Sequence, residues 1–436
     1  MVKPMIDNWD DIPTTKVFHG DCMKLLKTLP SNSIDAIVTD PPYGMSPDGI
    51  ARTWADIEEG RKLKGFMGKE WDQAVPCHNF FAECLRVLKH GGHMIAFSST
   101  RTVCALGMAA QQGGFVIRDM IHWCYFSGFP KSHDISKAID REAGAVREDT
   151  GIITSVTGQR KNTGFEKFGN GDGIPQNVST ITKPATQDAQ KWAGFGTALK
   201  PAVEPALLLR KPLEKGLTIA QNVLKHGTGA LNIDACRFGY GDPCWVGPNE
   251  KLEYNHQSNS NVYGSYMDGS GQKYKGDHNP SKLSSKSDEF GRWPANLYQC
   301  PKASRSEREQ GLDHLRPMKG HEVVQRKEGA AGSRNPRAGA GARVDQVRNI
   351  HPTVKPIKLM RWCCRLIGGQ KGSVILDPFT GSGTTGAAAL LEGFDFIGME
   401  LTPEYMPIID GRIEAAREQY KLENAQLSLF EDLYES

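Results

Sequence analysis

The chain has 436 residues, 39% of them hydrophobic and 24% charged, which is near the globular average and enough to build a sizeable core. A formal net charge of +3 is too small to imply nucleic acid by itself, so any such partner must be argued from where the charge lies. No run of eighteen apolar residues appears, which argues against a membrane span, and the opening stretch with Asp7, Asp10 and Asp11 does not read as a signal peptide. The ten cysteines form no Cys-x-x-Cys pair, so free thiols in a reducing cytoplasm are expected, with no zinc site.

The first third reads as α/β. Ser33 to Thr39 is a short apolar run suited to a buried parallel strand, and it stops at Asp40-Pro41-Pro42-Tyr43. Residues 78–89 place Phe81, Leu85 and Leu88 at helical spacing; Gly91-Gly92 then breaks the helix, and His93 to Phe97 reads as the next strand. A helix near 102–112 and a strand at 115–126 follow. From 128 to 198 the pattern dissolves, apart from a short helix at 134–142, into a long irregular stretch of the kind that is functional or disordered. Pattern returns with a strand at 200–210 and a helix near 217–225. Residues 237–349 hold 18 Lys and Arg against 13 Asp and Glu, a net of +5, and from about 316 onward read as a flexible basic segment. A helix over Pro356–Ile367, a strand at Ser373–Leu376, a helix near 383–392, a strand at Phe394–Met399 and a helix from Pro403 complete the chain. Neither ordered end makes a complete large sheet alone. The expectation is one doubly wound α/β sheet assembled from both, divided as 1–238, an insertion at 239–349, and 350–436.

Two motifs carry chemistry. Val374 to Gly386 is a strand, a glycine-rich turn and a helix start; Gly381 and Gly383 allow close backbone approach and the helix N-terminus offers free N–H groups. Glu400, ending the next strand, suits the two hydroxyls of a ribose. Gly381-x-Gly-x-x-Gly386 also matches a dinucleotide fingerprint, but the Asp377 carboxylate would repel a pyrophosphate while suiting the cationic methionine end of S-adenosyl-L-methionine. Asp40-Pro41-Pro42-Tyr43 follows its strand directly. The exocyclic amine of a base is a poor nucleophile, because its lone pair is delocalised into the ring. Asp40 and the Pro41 carbonyl can each accept one of its N–H bonds, Pro42 stiffens the turn, and Tyr43 can stack on a base flipped out of its duplex.

These motifs, in this order, resemble the S-adenosylmethionine-dependent N6-adenine/N4-cytosine DNA methyltransferases of the permuted β arrangement, in which the catalytic motif comes first, the target-recognition region second and the cofactor motif last. The resemblance implies a Rossmann-like methyltransferase fold, S-adenosyl-L-methionine as methyl donor and double-stranded DNA as substrate. A bacterial or phage-infected cytoplasm, dimers as a familiar assembly, and no metal are implied too. Asp40 and Tyr43 with the two prolines form the catalytic set. The donor would be held by Asp40, Asp377, Pro378, Phe379, Gly381, Ser382, Gly383, Thr384, Thr385 and Glu400. Phe18-His-Gly20-Asp21-Cys22 matches the element that contacts the donor's adenine, which assigns Asp21 and Cys22. His351-Pro352-Thr353-Val354-Lys355-Pro356 matches the motif that encloses its methionine, which assigns His351, Thr353 and Lys355. His226–Arg237 and Gly291–Asn296 look like segments common in phage and prophage members. Asp-Pro-Pro-Tyr is more usual in N6-adenine enzymes and Ser-Pro-Pro-Tyr in N4-cytosine enzymes, which favours adenine, with cytosine N4 the alternative. A C5-cytosine enzyme would need a nucleophilic cysteine; Pro76-Cys77 and Pro243-Cys244 are read instead as packing or surface cysteines.

Overall fold

The computed structural model describes residues 12–45, 51–59, 72–126, 128, 132–156, 178–239, 242–244, 291–319 and 347–435. Ten strands are present among them: β1 (Thr15–His19), β2 (Ile34–Thr39), β3 (Leu88–Phe97), β4 (Val116–Cys124), β5 (Glu148–Val156), β6 (Val178–Lys183), β7 (Val203–Arg210), β8 (Leu297–Gln299), β9 (Val374–Asp377) and β10 (Asp395–Glu400). They divide between two compact units, one drawn from residues 1–126 and 203–436 and the other from 127–202.

The larger unit is an eight-stranded sheet in the order β1-β10-β9-β2-β3-β7-β4-β8. The first five of these run parallel; β7 is antiparallel to both neighbours, and β8 lies parallel to β4 on the edge. The sheet is therefore built from both ends of the chain, and β2 from the first part pairs directly with β9 from the last. Every residue of β2 is buried, as expected for an interior parallel strand covered on both faces. Ala36 and Val38 face a cluster with Leu359, Met360, Ala388 and Ile409 from the C-terminal helices. Ile37 faces Leu26, Phe80, Phe81, Val87 and Leu106 from the N-terminal ones. Each fully buried Val, Leu, Ile, Phe or Met side chain among them contributes roughly 1.5–3 kcal/mol.

Two local readings change. Gly91-Gly92 does not separate helix His78–Val87 from the next strand; it is a bulge inside β3, where pairing with β2 jumps from Leu88 to His93. Gly91 has φ +80, and a Cβ there would lie 2.5 Å from Asn222 Nδ2. That amide donates to the carbonyls of His90 and Thr228, so the glycine is required by a tertiary contact rather than by a helix end. The stretch 128–198 is also not uniformly irregular. It contains the expected helix (Ile135–Glu142), a β5–β6 hairpin and a short helix, Gln187–Lys191. Its hub is polar: the Asp140 carboxylate, 1% exposed, accepts from Arg147 at 2.5 Å and from the Ala185 and Thr186 backbone N–H groups at 3.0 Å each.

Of the region expected to read the target, residues 239, 242–244, 291–319 and 347–349 are described and lie with the larger unit, where Leu297–Gln299 forms its edge strand. Tyr254, Tyr263, Tyr266 and Tyr274, which interleave with Lys273 and Lys275, and most of the basic segment from 316 onward lie outside the described residues. All ten cysteines are free, and among the described residues no helix is long and apolar enough to cross a membrane. Cys77 and Cys244 are buried; the Cys244 thiol donates to the Gln299 carbonyl, and burial pushes it up to about 12, which fits packing and not a nucleophile.

The join between the chain's two ends is polar as well as apolar. Asp377 is 1% exposed and accepts from Thr39 on β2 at 2.6 Å, from Thr385 at 2.5 Å and from the Phe379 N–H at 3.0 Å. Burial raises its carboxyl to about 6 against the partial offset of these bonds. The folded chain thus keeps a proton that the unfolded chain releases at lower pH, so this group's stabilisation is full in acid and is lost as pH rises through about 6. The stability difference between wild type and Asp377→Asn should fall by about 2 kcal/mol between about pH 4.5 and 7.5 in urea titrations. A difference independent of pH would contradict this assignment.

Candidate active site

The parallel strands β9 and β2 end side by side where the strand order reverses, the place where open α/β sheets bind ligands. After β9 the chain turns through Pro378, Phe379 and Thr380 into the glycine loop. Gly381 has φ +57, and a Cβ on it would lie 2.9 Å from His351 Nε2; Gly383 has φ +80 and is the N-cap of helix Thr384–Leu391. The left-handed backbone and the close approach of His351 and, at Gly383, of Ile409 (3.2 Å from a Cβ there) keep both positions to glycine. Glu400, at the end of β10, accepts from the Gly381 N–H with one oxygen and from the Thr402 N–H with the other, each at 2.8 Å. Its backbone carbonyl accepts from the Gly20 N–H at 2.8 Å. That bond brings Gly20-Asp21-Cys22 beside the carboxylate; Asp21 caps helix Cys22–Leu26 through the Met23 N–H. Ser382 and Thr384 are buried, their hydroxyls 3.3 Å apart, and Arg412 donates to Thr384 at 3.2 Å.

Asp377 is placed differently from its sequence reading. The sequence suggests a carboxylate suited to the cationic methionine end of the donor; in the structure its oxygens are taken by Thr39, Thr385 and the Phe379 N–H, and almost no surface is exposed. Its task is to fix the loop against β2.

Asp40 emerges at the end of β2, partly buried. Its Oδ2 accepts from Lys355 Nζ at 2.5 Å, whereas Oδ1 is buried without a hydrogen-bond partner. An acceptor held in that state is costly unless a ligand completes it. Pro41 and Pro42 are buried, and the N–H groups of Tyr43 and Gly44 both donate to Asp72 Oδ1, at 2.7 and 3.2 Å, which fixes the turn after the prolines. The Tyr43 hydroxyl accepts from Lys355 at 3.0 Å and donates to Glu204 at 3.2 Å. Lys355 Nζ lies 5.2 Å from the Tyr43 ring centroid, so it sits off the hydroxyl end and is not stacked on the ring. Burial, then the Asp40 and Glu204 carboxylates, raise the Tyr43 phenol well above its usual value and keep it protonated.

The segment 351–355 closes the site from the other side. His351 Nδ1 pairs with the Thr353 carbonyl at 2.5 Å, and burial lowers the imidazole to about 3, so it is neutral. Thr353 itself is exposed, and its part here is this carbonyl. Arg308 donates to the His351 carbonyl at 2.9 Å and Glu307 accepts from the Ile357 N–H at 2.5 Å, so helix Arg305–Glu309 braces the segment.

The structure thus brings Asp40, Tyr43 and Lys355 into one cluster and Asp377 to Thr385 with Glu400, Asp21 and His351 into the adjoining one. The sequence reading missed Asp72, Glu204, Lys302, Phe97 and Trp123. Only Glu204 left a local trace, as a lone carboxylate entering the apolar run of β7. Among the described residues no group of His, Cys, Asp or Glu is arranged to hold a metal.

A family model described as a DNA methylase matches residues 34–410. The chain is similar to the DNA adenine methyltransferase YhdJ of Escherichia coli K12, 22% identical over 92% of this chain and 83% of that one. It is also similar to the type II methyltransferases M.HindIII and M.HinfI of Haemophilus influenzae, 26% and 32% identical over 50% and 27% of this chain. It spans 64% and 33% of those two proteins' own lengths. Among solved structures, the PvuII DNA methyltransferase (cytosine-N4-specific) aligns over 95% of both chains at 15% identity with a TM-score of 0.41. With the matched segment running from the first residue of β2 past β10, the chain belongs to the N6/N4 DNA methylase family.

Proposed function

We propose that the protein transfers a methyl group from S-adenosyl-L-methionine to the exocyclic amine of a base in double-stranded DNA, N6 of adenine. The observation that carries this reading is the asymmetry of Asp40: one oxygen tied to an ammonium, the other buried and unpartnered. An amine with two N–H donors is the natural complement of that oxygen and the neighbouring Pro41 carbonyl.

The residues of the second cluster fit the donor. At Gly381 and Gly383 the backbone is left-handed and a Cβ would press on His351 or Ile409, so these two positions can offer only their backbone to the donor. Each Glu400 oxygen takes a backbone N–H and retains a lone pair for a ribose hydroxyl. Asp21 and Cys22 border that carboxylate, and His351, neutral and packed on Gly381, adds no positive charge where a cation would bind. When bound, S-adenosyl-L-methionine supplies a methyl carbon already activated by its sulfonium.

The protein's own contribution is electrostatic and geometric. Asp40 Oδ1 and the Pro41 carbonyl draw the two N–H bonds toward themselves, which localises the lone pair on nitrogen and aims it. Once the nitrogen has gained its fourth substituent, a proton must leave, and Oδ1 already lies on one. Tyr43 offers a flat ring to a base that has left its stack. Similarity to YhdJ over most of the chain, together with aspartate rather than serine at position 40, supports adenine.

Incubation with unmethylated DNA and the donor, followed by nucleoside mass spectrometry, should yield N6-methyladenine. N4-methylcytosine would keep the mechanism and correct the base; no modified base at all would refute the reading. Asp40→Ala should lower turnover at least about 100-fold while leaving donor affinity within a few fold by calorimetry. Retained turnover in that variant would contradict the role given to Asp40.

A further inference from the structure

Glu204 has no part in the family resemblance, yet it sits at the centre of the polar cluster. It stands near the start of β7, opposite Trp123 of β4. Because β7 runs antiparallel, its start lies at the edge where β2 and β3 end. Its Oε2 accepts from the Tyr43 hydroxyl at 3.2 Å and lies 3.5 Å from Lys355 Nζ; its Oε1 accepts from Lys302 at 3.4 Å. Aromatic rings wall the charges: Phe97 and Trp123 lie 5.1 and 5.9 Å from Lys355 Nζ, and Tyr125 lies 4.1 Å from Lys302 Nζ. A carboxylate in such surroundings loses hydration that its partners must offset. Apolar residues in place of the whole set of four charged groups would often serve stability as well.

We propose that Glu204 is a positioning residue for methyl transfer, acting through Lys355 and Tyr43 to keep Asp40 Oδ1 open. The inference rests on the function proposed above. An ammonium has three N–H groups. With Asp40 as its only partner, Lys355 could swing between the two carboxylate oxygens and cover the one the amine needs. Asp40 Oδ2, the Tyr43 oxygen and Glu204 Oε2 surround Nζ and fix it on one side. The same carboxylate holds the Tyr43 hydroxyl and so sets the ring on which a base would rest. Lys302 balances the second negative charge, so the four charged groups are neutral together.

The titratable groups around Lys355 are Asp40, Tyr43 and Glu204, with Lys302 beyond Glu204 and the neutral His351 on its own segment. Burial alone would lower the Lys355 ammonium, but the Asp40 and Glu204 carboxylates outweigh it and hold it above its usual value. Removing the charge at Glu204 should therefore lower the pH at which Lys355 becomes neutral.

The test compares wild type, Glu204→Ala and Glu204→Gln in the full chain. Turnover should fall by about 10- to 100-fold in Glu204→Ala, with KM for S-adenosyl-L-methionine within about threefold, and be partly restored in Glu204→Gln, whose amide oxygen can still accept. The pH midpoint for acylation of Lys355 by acetic anhydride, read by peptide mass spectrometry, should move down in both variants. Unchanged turnover with an unchanged midpoint would overturn the proposal. So would equal loss of turnover, donor binding and thermal stability in both variants, since that pattern marks a purely structural residue. The acylation readout needs no methyl transfer. Absence of a methylated base in wild type would therefore count against the proposed function, while a lowered midpoint in both variants would still show that Glu204 holds the Lys355 ammonium and an unmoved one would show that it does not.

Discussion

Two side-chain contacts across the β2–β9 seam hold the site together. Thr39 donates to Asp377 from a position 338 residues earlier in the chain, and Lys355 reaches Asp40 across 315. The first aligns the strand that ends at Asp40 with the strand that launches the glycine loop. The second brings the segment before β9 back over the aspartate it polarises. Because the sheet is closed by strands from both ends, neither half presents a site alone, and folding must bring the distant parts together before the chemistry exists. The buried pair at Asp377 is costly in isolation. It is tolerated because three donors satisfy one carboxylate where two halves of the sheet meet.

The charge arrangement follows from the same geometry. Lys355 is buried, half-enclosed by aromatic rings and matched to two carboxylates, so it behaves as a fixed cation rather than a mobile counterion. One Asp40 oxygen is thereby occupied and the other left for a ligand. Reaction at an exocyclic amine asks for this kind of preorganisation: acceptors already aimed where the N–H bonds will be, in a site where water does not compete.

What was legible in the sequence was local. The all-buried β2, the turn at Asp40–Tyr43, the Gly381–Gly383 loop and helix Ile357–Ile367 each carry their own pattern of apolar spacing, proline or glycine, and all appear where that pattern puts them. What was not legible depends on partners far away in the chain. Gly91 looks like a helix stop until Asn222 is seen against it. Asp377 looks like a carboxylate for the donor's cationic end until Thr39 and Thr385 fill it. Glu204 and Lys302 are 98 residues apart, and nothing in either neighbourhood announces the pair. The β5–β6 hairpin was missed because its strands lack apolar alternation and its unit is organised by the Asp140–Arg147 pair.

In the proposed reaction Asp40 Oδ1 is the acceptor for the base amine while Lys355 keeps Oδ2. The most direct measurement is a crystal structure of the protein with duplex DNA and a donor analogue that lacks a transferable methyl group. The account predicts a flipped adenine with its N6 within hydrogen-bond distance of Asp40 Oδ1 and the Pro41 carbonyl, Lys355 still on Oδ2, and the ring against Tyr43. An amine bound elsewhere, or Lys355 bridging both oxygens of Asp40 in that complex, would contradict it.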